Sequence, residues 1–384
     1  MRFGTWRVAG VAGVAVLTLA GCAPPLRPLQ SLSDPEIQRV MRREQVQGLA
    51  LATIENGQVA KVRVFGTRNA ALGQPLTPDT VMAGVSLAQP AFAYMLLQLA
   101  DEGKLDLDAP VATLLPHPLP SYRERPFDFS GLAGDPRWRT LTPRMLLAHG
   151  GGFAGFRWQE PDDRVHIHFD PGTRYAYSGE GYMLLQLIVE RGLGLDVGKE
   201  MRRRVFERFG MRHTSMHWRA SFADNVADDY GFDGAVQPHE RHYRVRVAGA
   251  MDTTIADQAK LWAGIMRGDG LRPDTRAAFA TGWLPIATRH QFPTLAAGNA
   301  AWPQKLAASL GVVTFEDRSG PAWFKGGHDD TTADFVLCME TGQRCVVMLS
   351  NDVRAERMYP ELGRQALGPG DMPWSWEYDW MEAP

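Results

Sequence analysis

A helix with no polar face is the strongest constraint in this sequence. Phe92, Met95, Leu96 and Leu99 recur at spacings of three and four, inside a stretch that stays apolar on nearly every side until Asp101-Glu102-Gly103. Such a helix has no side to turn to water, so the rest of the chain must close around it. Material for that is available: 45% of the 384 residues are hydrophobic, enough for a sizeable core and for two or three packing units of roughly 150 residues. Disorder is excluded as the dominant state. The surrounding pattern is β at both ends. Leu49, Leu51 and Ile54 lead into an Asn56-Gly57 turn, and Val59, Val62 and Val64 follow it, which predicts a hairpin. Strands return from Leu310 to Phe315 and from Trp323 to Lys325. A last hairpin follows, built from Phe335-Val336-Leu337 and Val346-Val347-Met348-Leu349. Between these ends the texture is helical, with further helices expected from Gly181 to about Arg191 and from about Asp257 to Met266. The expectation is an α/β domain formed by both ends of the chain (about residues 35–78 and 305–384), with a helical part (about 79–304) inserted between them. Trp374, Trp376 and Trp380 are expected to pack back on the body.

The first residues read as an address. Arg2 and Arg7 precede an apolar run from Val8 to Ala20 that ends in Leu19-Ala20-Gly21-Cys22, and this segment resembles a bacterial lipoprotein signal. The resemblance implies a signal peptide over residues 1–21, lipidation at Cys22, and a short tether over residues 22–34 holding the body to a membrane. Ala23 resembles the outer-membrane variant, which places the body on the periplasmic face of the cell envelope. An exported compartment permits a disulfide between Cys338 and Cys345, whose strands can bring the sulfurs opposite each other, with two buried thiols as the alternative. Forty-one Lys and Arg stand against 43 Asp and Glu, scattered along the chain, so the basic footprint of a nucleic-acid binder is missing.

Three places carry candidate chemistry. Ser86 lies just before the buried helix, where unpaired N–H groups and the positive end of the helix dipole favour developing negative charge. Tyr177-Ser178-Gly179 follows a Pro171-Gly172-Thr173 turn and precedes Glu180-Gly181-Tyr182, so a phenol is delivered into a loop ahead of a helix. Lys325-Gly326-Gly327-His328 enters a strand, where two glycines let a ligand approach the backbone beside a fixed positive charge. Two other patterns compete. His166-Ile167-His168-Phe169-Asp170 spells a metal-ligand motif, but Pro171 stands where its next His belongs, so no metal is expected and a surface His pair is the reading. Gly84-Val85-Ser86-Leu87-Ala88 approximates a nucleophile elbow with His328 as a distant base, yet Asp79-Thr80-Val81-Met82 is a thin strand to lead into it. His149 is expected to be a structural loop residue with its ring hydrogen-bonded to backbone.

Taken in order, these fragments resemble the serine β-lactamase-related family of class C β-lactamases, D,D-carboxypeptidases and related esterases. The resemblance rests on Met82-Ala83-Gly84-Val85-Ser86 continuing to Asp108-Ala109-Pro110, on Thr142-Pro143-Arg144-Met145-Leu146-Leu147-Ala148-His149-Gly150-Gly151-Gly152, and on Gly210-Met211 through Thr214-Ser215-Met216. The Tyr177 and Lys325 motifs then follow, so it covers about residues 35 to 355. It implies a penicillin-binding-protein-like α/β fold, an antiparallel sheet flanked by helices with an inserted helical domain. It further implies Ser86 as the nucleophile that forms an acyl-enzyme, Tyr177 as the proton relay, and Lys325 as support for the relay and receptor of a substrate carboxylate. The N–H groups of Ser86 and of His328, after Gly327, would form the oxyanion hole. Two positions depart from the family scheme. The Lys expected three residues after the nucleophile is Gln89, whose amide has no useful basicity, and the Asn expected two after Tyr177 is Gly179, leaving Glu180 as a different substrate contact. The expected function is therefore slow acyl transfer on a D-Ala-D-Ala-like peptide, a β-lactam or a small ester. The alternative is a catalytically silent ligand-binding or envelope-regulatory protein on the same fold. No cofactor is implied, and the expected partners are a small-molecule or peptidoglycan-peptide ligand and the membrane.

Overall fold

The computed structural model describes residues 33–381. The expected signal peptide, Cys22 and nearly all of the expected tether lie outside the described residues, although Asp34 already opens the first helix, α1 (Asp34–Glu44). Among the described residues no helix is long and apolar enough to cross a membrane.

The expected first hairpin is present as β1 (Gly48–Glu55) and β2 (Gln58–Asn69). Its turn residues Asn56 and Gly57 have φ of 50° and 68°, the left-handed conformation that a two-residue hairpin demands. A short β3 (Gln74–Pro75) closes that edge. The remaining strands of the main sheet are β4 (Leu284–Pro285), β5 (Ala307–Ala308), β6 (Val313–Asp317), β7 (Gly320–His328), β8 (Ala333–Met339) and β9 (Arg344–Ser350). They make one nine-stranded antiparallel sheet in the order β3-β2-β1-β9-β8-β7-β6-β5-β4, so the first and last thirds of the chain meet where β1 pairs with β9. Cys338 and Cys345 face each other across β8 and β9 and are joined as a disulfide.

The alternation of side chains along these strands separates two cores. On one face, Ala50, Ala52, Val336, Val347 and Trp323 meet α2 (Ala88–Asp101) and α4 (Ile255–Arg267), with the Trp262 and Trp323 rings 5.7 Å apart. Every residue of α2 from Ala88 to Leu99 is buried, as its all-round apolar sequence requires. Phe92, Met95, Leu96, Leu97 and Leu99 contribute roughly 1.5–3 kcal/mol each through that burial. On the other face, Leu49, Leu51, Phe324, Phe335 and Met348 meet α1, α5 (Tyr359–Leu367) and the short α6 (Trp374–Glu377). Trp376 is fully buried there, whereas Trp380 is half exposed.

One boundary moves. α4 packs on β1, β2 and β9, and β4 joins the edge of the sheet, so the sheet layer already takes up chain from about residue 255, not 305. The signal was weak because β4 is a two-residue edge strand containing Pro285, a residue that edges tolerate and apolar runs do not reveal. The helix expected from Gly181 begins at Gly179 (α3, Gly179–Leu187) and continues as a wider turn through Ile188–Gly192.

Candidate active site

Ser86 sits in a single 3₁₀ turn, Val85–Leu87, that runs straight into α2. Its approach is held by a two-residue ladder, with Met82 and Ala83 paired to Thr253 and Asp252. This is too short for the strand of a nucleophile elbow. Val85 has φ of 30°, a left-handed conformation that a β-branched residue adopts only under constraint, at a cost on the order of 1–3 kcal/mol. One turn further on, the fully buried Gln89 points at the same space. Tyr177 enters from the loop before α3. Its hydroxyl lies 2.7 Å from Ser86 Oγ and accepts a 2.7 Å hydrogen bond from Gln89 Nε2, whose second hydrogen goes to Ala248 O at 3.0 Å. Gln89 Oε1 is buried with no partner. Burial pushes the Tyr177 phenol above its usual value, and the hydrogen bonds from Ser86 and Gln89 only partly offset this.

Lys325 on β7 completes the group, with Nζ 5.4 Å from the Tyr177 ring centroid and donating to Gly326 O. Burial pushes its ammonium down to about 8, against the opposing pull of the Glu377 carboxyl. Gly327 lets β7 come against the Ser86 turn: a Cβ there would lie 3.3 Å from Ser86 N and 3.2 Å from Leu87 N. Sequence motifs 91 and 148 residues apart from one another thus meet at one end of the sheet, in a cleft of about 690 Å³ that Ser86, Tyr177, Lys325 and His328 all line.

The model of the family described as Beta-lactamase matches residues 34–368. The chain belongs to the β-lactamase family. It is 25% identical over 235 residues to a β-lactamase of Pseudomonas fluorescens, covering 58% of this chain and 59% of that one. It is 29% identical over 184 residues to penicillin-binding protein 4 of Amycolatopsis lactamdurans, covering 44% and 45%. The chain thus spans about half the length of the curated relatives it matches. The fold is similar to that of a D-alanine carboxypeptidase, AmpC, from Burkholderia cenocepacia, with a TM-score of 0.68 at 18% identity over 87% of this chain and 97% of the other.

Other expected residues of this β-lactamase-family site fall differently. Glu180 does not face the cleft. Its carboxylate is buried and taken by Arg157, whose N, Nε and Nη2 donate to it at 3.1, 3.0 and 2.6 Å. A buried carboxylate needs such a partner, so Glu180 is a structural anchor and offers no contact to substrate. Gly179 likewise leaves no gap to be filled by a ligand, because the ring of Phe156 occupies the space beside it: a Cβ at residue 179 would lie 2.1 Å from Phe156 Cε1. The His328 ring turns away from Ser86 toward Glu356, whose Oε1 is 3.3 Å from its Nδ1, and toward Phe292 and Tyr378. His149 is the expected structural residue, with Nδ1 accepting from Ser178 N at 3.1 Å and its ring 4.7 Å from that of Tyr177. Burial, reinforced by Lys325, holds it down to about 3, so it is a neutral wedge behind the phenol.

His166 and His168 point to separate acids, Asp162 at 3.0 Å and Glu160 at 2.6 Å, while Asp170 pairs with Arg137. Among the described residues no group of three or more metal-ligating side chains is assembled. Two neighbours of the site escaped the sequence reading. Phe156 is one. Glu377 is the other, a fully buried carboxyl from α6 that occupies the notch left by Gly326, where a Cβ would lie 1.7 Å from its Oε1. Burial pushes Glu377 up to about 7 and the Lys325 ammonium opposes it. Only the missing side chain of Gly326, beside a Trp-Ser-Trp-Glu segment near the other end of the chain, hints at this meeting.

Proposed function

We propose that this chain is a cell-envelope lipoprotein, lipidated at Cys22, whose β-lactamase-family site takes D-Ala-D-Ala-like peptides, β-lactams or small esters and acylates Ser86 slowly. The observation that carries the reading is the hydrogen bond from Gln89 to Tyr177: one turn beyond Ser86 stands an amide donor where acylation needs a base. The Tyr177 oxygen accepts from Gln89, burial disfavours ionisation of the phenol, and the 2.7 Å contact between the Ser86 and Tyr177 hydroxyls can run in either direction. Neither the amide nor the protonated phenol is a base for the Ser86 proton. A Lys amine in place of Gln89 would take the Ser86 proton through the same geometry; an amide cannot.

The binding half of the site is compatible with an acyl ligand. Ser86 N and His328 N, brought near each other by Gly327, would receive the carbonyl oxygen, and the Lys325 ammonium would receive a carboxylate. Attack of Ser86 Oγ on the carbonyl would form the acyl-enzyme and expel the amine or alcohol. The absence of a base leaves that step short by a factor on the order of 10²–10⁴, the usual contribution of general-base catalysis.

Time-resolved intact mass with a reactive penicillin tests this. A Ser86 adduct that forms over hours on the native protein, within minutes on Gln89→Lys and never on Ser86→Ala is the expected result. Adduct formation within minutes on the native protein would show that another group supplies the base. No native adduct at all, with a fast one on Gln89→Lys, would favour a purely ligand-binding protein, a reading that the amide standing in place of a base at Gln89 also supports.

A further inference from the structure

The wall of the cleft beside Gly179 is aromatic, and it is held there firmly. Phe156 stacks on Trp158, with centroids 4.2 Å apart and planes within 7°, and both rings line the same cleft as Ser86. Trp158 is 59% exposed, so the stack presents an open face. The residues on either side of Phe156 are both fixed to the start of α3. Gly155 O accepts from Gly179 N at 2.8 Å, and Arg157 makes the buried pair with Glu180. The backbone of Phe156 is therefore fixed against α3, and its ring edge fills the volume that a side chain at residue 179 would need.

Several polar groups behind the stack already have partners. Gln159 Oε1 accepts from Phe156 N at 3.1 Å, Gly155 N donates to Thr294 Oγ1 at 3.2 Å, and Arg157 and Glu180 satisfy each other. An acyl group carrying an amide next to its reacting carbonyl would lay polar atoms on ring faces that offer them no hydrogen bond, losing those that water had supplied. A flat apolar group would find a ring face with favourable stacking geometry. Phe292, whose ring is 5.7 Å from that of Tyr177, adds a second aromatic surface on the way to Ser86.

We infer that this cleft selects acyl groups bearing an aromatic ring and lacking an amide beside the reacting carbonyl, with Phe156 as the specificity-determining residue and Trp158 as its outer platform. The inference rests on the functional reading above, that an acyl group is bound at Ser86 in this cleft, and it narrows the substrate class from acyl-peptides in general to aryl-acyl compounds.

The test compares 3-phenylpropanoyl-D-alanine with N-acetylglycyl-D-alanine, ligands that share a D-Ala carboxylate for Lys325 and differ only in the acyl group. Dissociation constants are measured by titration calorimetry on Ser86→Ala, which cannot be acylated, so selectivity is read whether or not Ser86 proves reactive. The expected result is about a tenfold preference for the phenyl ligand, as one good aromatic contact and its burial provide. That preference should fall toward unity in Phe156→Ala and reverse in Phe156→Ala/Gly179→Asn, where room and an amide return together. Trp158→Ala alters an exposed ring and leaves the fold intact, and it should lose part of the preference with an unchanged unfolding curve. Equal affinities, binding of neither ligand at millimolar concentration, or a preference that survives Phe156→Ala overturns the inference. A Ser86 adduct with penicillin alongside equal affinities would sink this inference alone and leave the functional reading standing.

Discussion

Gln89→Lys changes which way a proton can leave Ser86 without changing where anything sits. The Gln89 amide spans from the Tyr177 hydroxyl to Ala248 O, and a Lys amine has donors for both. Its buried position would lower the Lys pKa, so part of the population is neutral near pH 7 and can accept a proton. Ser86 acylation should rise about 10²–10⁴-fold, read as the pseudo-first-order rate of penicillin adduct formation, while Gln89→Ala should give no gain. In the native protein the only route left is ionisation of Tyr177. Because burial holds that phenol above its ordinary value, the residual rate at saturating penicillin should climb about tenfold per pH unit from pH 7 to 10 with no plateau. A plateau near neutrality would reveal a different base. Ser86, Gln89, Tyr177 and Lys325 were legible from the chain because each is flagged by its neighbours: a buried helix, a Pro-Gly turn, a pair of glycines. Phe156 and Glu180 were not legible in their true roles, because what fixes them is a contact 23 residues along the chain, between Arg157 and Glu180, that no local pattern announces.

The loop from Phe153 to Glu160 and the start of α3 act as one element, locked by that ion pair with side-chain exposures of 6% and 5%. Removing one partner strands the other's charge in the interior, so Arg157→Met should cost about 3–5 kcal/mol in urea unfolding, whereas Arg157→Met/Glu180→Leu should recover much of it. α6 does comparable work behind β7. Glu377 favours the Lys325 ammonium, which burial has brought down to about 8. Only the ammonium pairs with a ligand carboxylate, so affinity should hold steady below pH 8 and fall by up to tenfold per unit above it. Glu377→Gln removes the anion that raises the Lys325 pKa, and the fall should begin at a lower pH. Calorimetric titration of a D-Ala ligand across pH 6–10 reads the shift, and an unmoved profile would mean that Glu377 does not set the charge of Lys325. The tryptophans of α6 were expected to pack on the body, and Trp376 does. That they deliver a carboxyl to Gly326 depends on a meeting of residues 51 positions apart in sequence, which periodicity cannot encode.

At the scale of the whole molecule, both ends of the chain build the sheet and the middle builds the opposite wall of the cleft. The long apolar helix and the two hairpins foretold this arrangement because each must bury a face that it cannot cover alone. The two-residue strands at the sheet edge carried no such signal. The pairing of β1 with β9 closes a loop of most of the chain, and β9 can meet β1 in this register only while the β8–β9 hairpin holds its own. The Cys338–Cys345 bond fixes that register at the closed end of β8 and β9, at the opposite end of β8 from Ala333, which pairs with His328. A loop of this size should contribute about 2.5 kcal/mol by restricting the unfolded chain. Cys338→Ala/Cys345→Ala should therefore lower the unfolding free energy by that amount, read as a fall in the denaturant midpoint. The rate and pH dependence of Ser86 acylation should stay the same, because β7 keeps its own partners on both sides and Lys325 stays opposite Val336. If the acylation profile moved together with the midpoint, the hairpin would be holding the active site in place as well as the fold, and the separation between a stabilising end and a reactive end of the sheet would have to be given up.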